Sequence, residues 1–261
     1  MAMDTQRFEH AIALRDAGRV EEALRELASL TEVCTDPEER ASLLLNEARC
    51  YRSLGRLAEA KERLSRARRI ASRTHLLLYL EHERAILLWH EGDRDKALSV
   101  VERLIADYGA VLAGPEHREL FEQAHTSRGM LLTELGRYQE ARPQMEACLS
   151  FDPRTTEKVG VLYYLGLCSL KLGRSGDAKE GFKEVLRNGR QTDCTAMSHY
   201  YLGTIYFAEA AYAKALMEFE SCLAQGEEGP PKEHLYKWLA STARTLEMGE
   251  DAERYEKLAK R

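Results

Sequence analysis

The sequence is short of the patterns that usually mark chemistry. It holds no GxSxG elbow, no GxxxxGK[ST] loop, no GxGxxG and no HExxH. Those are the spacings that expose a nucleophile, cradle a phosphate, receive a dinucleotide or bind a catalytic zinc. Its six cysteines include no CxxC and no close pair, so neither a metal ribbon nor a redox couple is written into them. Glu122 and His125 have the ExxH spacing of a bundle di-iron ligand pair, yet such a centre needs a second ExxH and two further glutamates, and no second ExxH occurs. His82 and His90, eight residues apart (90 − 82), lie too far apart on one helix to share a metal without a third ligand between them. Residue types that would act together never converge, so the chain reads as a non-enzyme with no catalytic residue, metal or cofactor.

Long apolar runs are missing too. No stretch approaches the roughly 20 residues that a membrane helix requires. The opening MAMDTQRFEH lacks a basic region followed by an apolar one, so it is not read as a secretion signal. A cytoplasmic chain without a membrane partner is the expectation. Charge of one sign is scarce: a net −5 gives no general reason to expect nucleic acid. With 31% charged and 44% hydrophobic residues, the composition is that of a folded globular chain rather than a disordered one. Period-two alternation, the mark of strands, is absent throughout.

What the sequence does have is a period. LYYLGLCSLKLGRSGDAKEGF, residues 162–182, reads as two helices broken at Gly173, with Leu162, Leu165, Gly166 and Ser169 on the first stripe and Ala178, Phe182 and Val185 on the second. The same turn position recurs at Gly18, Gly55, Gly92, Gly136, Ala210 and Gly249. Four of the six gaps are 37 residues (55 − 18, 92 − 55, 173 − 136, 210 − 173); the others are 44 (136 − 92) and 39 (249 − 210). Such a period predicts stacked helical hairpins, each burying its apolar face only against its neighbours. The seven extra residues of the long gap are placed at 109–115, where Gly114-Pro115 is a break, and the helix after them is expected to be the longest. Phe151-Asp152-Pro153 reads as a stop and restart, and 226–231 as the strongest linker. The mostly charged closing helix suits a solvated cap. Cys50 and Cys168 fall five residues before their turns, and Cys148 and Cys222 twelve after theirs, so both pairs are expected in packed seams.

These residues resemble the tetratricopeptide repeat. The nearest copy is Leu202-Gly203 with Tyr206, Tyr212, Ala215, Phe219 and Cys222; Leu165-Gly166 with Gly173, Ala178 and Phe182 follows, then Gly129, Gly136, Ala141 and Pro153, then Ala48, Tyr51, Gly55 and Ala60. Gly18/Ala23 and Gly92/Ala97 lack the Leu-Gly and the Tyr. The period exceeds the family's usual value of about 34. The resemblance implies an all-α fold, a right-handed superhelical solenoid of antiparallel helix hairpins. It would form one domain over 1–261, with repeats near 4–36, 37–73, 74–114, 115–153, 154–190, 191–229 and 230–261. The mid-helix glycines Gly129, Gly166 and Gly203 are expected to let Ala141, Ala178 and Ala215 approach, so that Gly166→Leu would overpack the crossing by about 1–3 kcal/mol.

In that family the first helices line a concave groove, at positions three, six and ten before the turn. Here the resemblance selects Phe8, Ile12 and Arg15; Arg49 and Arg52 with Leu45; His82 and Trp89 with Ile86; Met130 with Thr126 and Thr133; Tyr163 and Leu167 with Leu170; Tyr200, Thr204 and Phe207; and Leu239, Ala243 and Leu246. Arginines gather early in the chain and aromatics later, the residue types that dominate binding hot spots. The expected activity is that of a protein–protein interaction scaffold or adaptor, holding a peptide or helix of a partner with its apolar side on Tyr163, Tyr200 and Phe207 and an acidic part toward the arginines. The alternatives are a regulatory peptide sensor or a homodimer-forming repeat protein. A weaker alternative is nucleic-acid binding by the basic helix 61–73, which Glu62 interrupts and no aromatic residue interleaves. The family's carboxylate clamp is absent: Asn46 fills one of its slots, but Phe8 and Ile12 stand where Lys and Asn would be required.

Overall fold

The first helix of each of seven helix pairs ends on a residue in the left-handed region: Gly18, Gly55, Gly92, Gly136, Gly173, Ala210 and Glu247. At six of these ends the same two hydrogen bonds recur. The turn residue's N–H reaches back three residues and the next N–H reaches back five, as in Gly18 N to Arg15 O (2.9 Å) and Arg19 N to Leu14 O (2.9 Å). This is the Schellman closure, which satisfies carbonyls that a helix end would otherwise orphan and turns the chain sharply. Glu247 makes it too, through Glu247 N to Arg244 O and Met248 N to Ala243 O. The seventh turn is therefore at Glu247, not Gly249, which lies inside the following helix. The last gap becomes 37 (247 − 210), and an alanine then stands five residues after every turn: Ala23, Ala60, Ala97, Ala141, Ala178, Ala215 and Ala252, all of them buried.

The structure is a computed structural model that describes residues 3–151, 155–188, 193–226 and 229–260. Pro153, Thr192 and the linker residues Glu227 and Glu228 lie outside the described residues. The described residues form fourteen α-helices and no strand, an all-α helical repeat fold: α1 (Thr5–Asp16), α2 (Val20–Val33), α3 (Pro37–Ser53), α4 (Leu57–Ile70), α5 (Thr74–His90), α6 (Arg94–Leu112), α7 (Arg118–Glu134), α8 (Tyr138–Cys148), α9 (Thr155–Lys171), α10 (Ser175–Asn188), α11 (Asp193–Ala208), α12 (Tyr212–Ala224), α13 (Lys232–Thr245) and α14 (Gly249–Ala259). Contacts divide them into two compact units, Met1–Leu135 and Gly136–Arg261.

In the first unit, Asp4, Asp36 and Asp93 cap helix starts by accepting the N–H of Arg7, Glu39 and Lys96, and Pro37 opens α3. Helix α3 is buried on two sides. Leu43 and Cys50 join the core of α1 and α2, while Leu44, Leu45 and Ala48 join that of α4 and α5. A helix packed on both sides spreads its apolar residues around its circumference, whereas α2 and α4 confine theirs to one stripe. The long gap is filled differently from the expectation. Helix α6, at 19 residues, is the longest, against 17 for α7; it runs through Gly109, and a single 3-10 turn at Pro115–His117 follows. Gly109 costs the helix about 1 kcal/mol, but Leu112, fully buried three residues later, anchors the extension.

In the second unit, the mid-helix glycines admit phenylalanine rings rather than the alanines. A Cβ on Gly166 would lie 3.0 Å from Phe182, and one on Gly203 would lie 2.6 Å from Phe219. Gly181 lets α10 approach the backbone of α9, since a Cβ there would lie 3.1 Å from the Gly166 Cα. Cys50, Cys148, Cys168 and Cys222 are buried in the seams, and burial pushes the Cys50 and Cys222 thiols up to about 11.

Candidate functional site

The groove slots belong to the first helix of each pair, so their surroundings follow from what the next first helix offers. In the first unit the offer is polar. Arg15 donates from one terminal nitrogen to Asn46 Oδ1 (2.8 Å) and from the other to Asp16 (2.9 Å). Arg52 Nε donates to Glu83 (2.6 Å), and Arg49 Nε lies 3.4 Å from the other Glu83 oxygen. Glu83 is 2% exposed. Burial alone would raise its carboxyl, but attraction from Arg52 and Arg49 outweighs that and holds it below the usual carboxylate range. The arginine end of the expected groove thus already holds a carboxylate of this chain, which the slot reading missed because Glu83 is 31 residues from Arg52. Phe8 and Ile12 are half-buried, Phe8 packing on the core of the first pair. His82 is a correction. It is buried rather than open to a ligand, its Nε2 lies 3.1 Å from Ser127 Oγ, and burial lowers its pKa to about 4. Trp89 is half-buried and donates from Nε1 to Glu134 (2.9 Å), which also takes Arg94 Nε (2.6 Å). Met130 is half-buried.

A cavity of about 430 Å³ opens between α3 and α5, lined by Ser42, Leu45, Asn46, Arg49, Leu76 and Tyr79, with Met3, Asp36, Glu38, Glu39, Arg73 and His75 around them. The Arg49 guanidinium lies 5.8 Å from the Tyr79 ring centroid.

In the second unit the offer is aromatic. Tyr163 lies 6.4 Å from Tyr201 and 6.1 Å from Phe182, and Phe182 stacks on Tyr201 at 5.4 Å. Burial raises the Tyr163 hydroxyl well above its ordinary value. Tyr200 accepts a hydrogen bond from Trp238 Nε1 (3.2 Å), Phe207 meets Trp238 edge-on at 5.2 Å, and Phe219 stacks on Trp238 at 5.6 Å. Tyr163, Leu167, Tyr200, Thr204 and Phe207 are all half-buried, and Thr204 Oγ1 donates to the Tyr201 carbonyl of its own helix (2.8 Å). The rings therefore pack between repeats and still keep part of their surface open. Trp238 is the residue that sequence reasoning missed. Counted from Glu247 it stands nine before the turn, as Tyr201 does from Ala210, and position nine is not among the slots at three, six and ten. The same recount moves Leu239 and Ala243 out of the groove set, and both are fully buried in the last core.

No group of three or more metal-capable side chains occurs among the described residues. Glu122 is held by Arg118 (3.0 Å), and His125 packs on Phe121 at 4.4 Å. No helix among the described residues is long and apolar enough to cross a membrane. The basic run on α4 is largely answered by carboxylates: Arg63 binds buried Glu47 (2.7 Å), Arg68 binds Glu81 (2.6 Å), and Lys61 pairs with Glu91.

Three segments, 8–73, 80–103 and 122–155, match family models described as tetratricopeptide repeat. No curated protein matches the chain. Among solved structures, PilF of Pseudomonas aeruginosa is similar with a TM-score of 0.65 at 20% identity, covering 84% of this chain and 90% of that one. The quorum sensor NprR of B. thuringiensis, in its apo form, is similar at 0.66 and 14% identity over 97% of this chain and 85% of its own. The Cut9–Hcn1 hetero-tetramer is similar at 0.74 and 14% identity, covering 92% of this chain and 43% of that one. At these identities the likeness concerns the fold.

Proposed function

Since the chain is a tetratricopeptide-repeat protein, and such proteins generally mediate protein–protein interactions, we propose that it is a cytoplasmic scaffold whose second unit holds the apolar side of a partner's peptide or helix. The observation that carries this reading is the set of half-buried rings at groove slots in consecutive repeats, Tyr163 on α9 and Tyr200 and Phe207 on α11. Rings that are packed on one side need little further ordering when a ligand covers the other, which is why such side chains make efficient anchors. Tyr201 and Trp238 hold them from behind. The role is binding, with no chemical step assigned to this chain.

Partner capture from the source cell with the wild-type chain, repeated with Tyr163→Ala/Tyr200→Ala, tests it. The double variant is expected to retain its helical circular dichroism and to lose about tenfold or more of the captured protein. Tyr200→Phe, which removes only the acceptor for Trp238 Nε1, should capture normally. Unchanged capture by the double variant would refute the groove assignment.

A further inference from the structure

Helix α5 is apolar on two sides, and only one faces the cavity beside Arg49. Leu77, Glu81, Arg84 and Leu88 repeat at helical spacing on the opposite side from Leu76 and Tyr79. On that side two recesses, of about 300 and 260 Å³, share Arg68 and Arg84 and so form one cleft. Its walls are α4 and α6 and its floor is α5, so it lies wholly within the first unit. Leu64, Leu77, Leu88, Val100 and Leu104 supply the apolar lining. At its end on α6, Tyr108 stands 40% exposed, one of the few large apolar side chains left so open among the described residues.

The charge around this apolar floor has a positive surplus. Lys61, Arg68, Arg84 and Arg103 line the cleft with two carboxylates, Glu81 and Asp107, and Lys61 is already paired with Glu91, so the surplus falls to Arg68, Arg84 and Arg103 in a chain whose net charge is negative. Arg68 and Arg84 share the two oxygens of Glu81 (2.6 and 2.7 Å), which leaves one positive charge over. Arg103 donates to the Ser99 carbonyl of its own helix (3.3 Å), and no described carboxylate lies within ion-pair distance of it.

The geometry points to this cleft as a second docking surface, one that takes an amphipathic helix of a partner protein with an apolar stripe flanked by carboxylates. The stripe would cover Leu77, Leu88 and Tyr108, and the carboxylates would meet Arg84, Arg103 and the surplus charge beside Arg68. A nucleic acid fits less well. Its phosphates would gain nothing from a leucine floor and would be repelled by Glu81 and Asp107, and four cations interspersed with two acids make a poor track for a backbone.

The test uses the full chain and a fluorescein-labelled peptide of roughly 18 residues, with leucines at helical spacing and glutamates on the flanks. Its controls are a twin with lysines in place of the glutamates and a single strand of about 20 deoxynucleotides. The glutamate peptide should bind about tenfold or more tightly than the lysine twin, and Arg103→Glu should weaken it by a similar factor. Arg103→Glu breaks no ion pair, so its fold is expected to be intact. Tyr163→Ala/Tyr200→Ala should leave this binding unchanged, and hydrogen exchange should slow along 57–70 and 94–112. Equal binding of the two peptides would overturn the proposal, as would indifference to Arg103→Glu or protection confined to other helices. Tight binding of the oligonucleotide that Arg103→Glu abolishes would reassign the surface to nucleic acid and overturn it equally.

Discussion

Gly203→Ala separates two opposing effects whose sizes the structure fixes. In a helix interior, alanine is favoured over glycine by about 1 kcal/mol. Against that, the added methyl would lie 2.6 Å from Phe219 Cε1, 2.7 Å from Cδ1 and 3.0 Å from Cζ, where carbon pairs rest at about 3.5–4.0 Å. The ring must therefore retreat by close to 1 Å. It is fully buried, stacked on Trp238 at 5.6 Å and tilted against Tyr200 at 6.2 Å, and those two are themselves joined by the Trp238 hydrogen bond. Overpacking of this kind costs about 1–3 kcal/mol, and a ring held from behind belongs at the upper end. The net expectation is a loss of about 2 kcal/mol.

Gly166→Ala is the matched control. There the methyl would lie 3.0, 3.1 and 3.3 Å from the Phe182 ring, an overlap that a few tenths of an ångström relieve, so propensity and crowding should nearly cancel. Urea unfolding followed by circular dichroism measures both variants. Trp238 fluorescence in a Trp89→Phe background, which leaves one of the chain's two tryptophans, reports whether the ring cluster shifts. The reasoning fails if Gly203→Ala is as stable as wild type, or if Gly166→Ala is the more damaging of the two.

His82 gives a pH prediction. Its burial, beside Glu83, Arg49, Arg52 and Ser127, lowers the folded pKa to about 4 from an unfolded value near 6.5. The unfolded state thus binds the extra proton first, and stability is lost as pH falls from about 6.5 toward 4, by about 3 kcal/mol at the lower end; the difference in urea midpoint between wild type and His82→Gln should shrink with acidification, and a constant difference would contradict it. At the left-handed turns Ala210 (φ 56°) and Glu247 (φ 60°), glycine should relieve backbone strain, so Ala210→Gly and Glu247→Gly should each raise stability by about 0.5–1 kcal/mol. A lower melting temperature in either would show that the turn is not the strained element.

The repeat was legible because its turn makes a stereochemical demand. A left-handed helix end selects glycine, and five of the seven turns show it. Ala210 was found by its spacing, while Glu247 was passed over for a glycine two residues away, although Ala252 at the usual offset marked the true register. The extension of α6 was not legible, since Gly109 reads as a break and only the burial of Leu112 shows why the helix continues. The groove slots could be counted from the turns, but their chemistry could not. Whether Arg52 faces a ligand or Glu83 depends on the neighbouring repeat, which no local pattern reveals.

One contact explains why the two units differ in what they can hold. The residue three before a turn meets the residue nine before the next turn, 31 positions further on, in three pairs: Arg15 with Asn46, Arg52 with Glu83, and Phe207 with Trp238. Backbone repetition fixes that meeting, while the side chains are free to vary, so one geometric slot is a hydrogen bond, an ion pair or an aromatic contact. An ion pair closes its slot to outside charge, because an acidic ligand at Arg52 would have to displace a carboxylate that is buried and already hydrogen-bonded. An aromatic pair places no opposite charge in the slot, and Phe207 and Trp238 are only half-buried, so part of each ring can still be covered at little entropic cost. The same repeat geometry thus makes a structural lock of the slots at Arg15 and Arg52 and leaves Tyr163, Tyr200 and Phe207 half-buried without a charged partner of this kind. A cation that no such pair satisfies, as at Arg103 on the opposite side of α5, is where the first unit keeps charge for a partner.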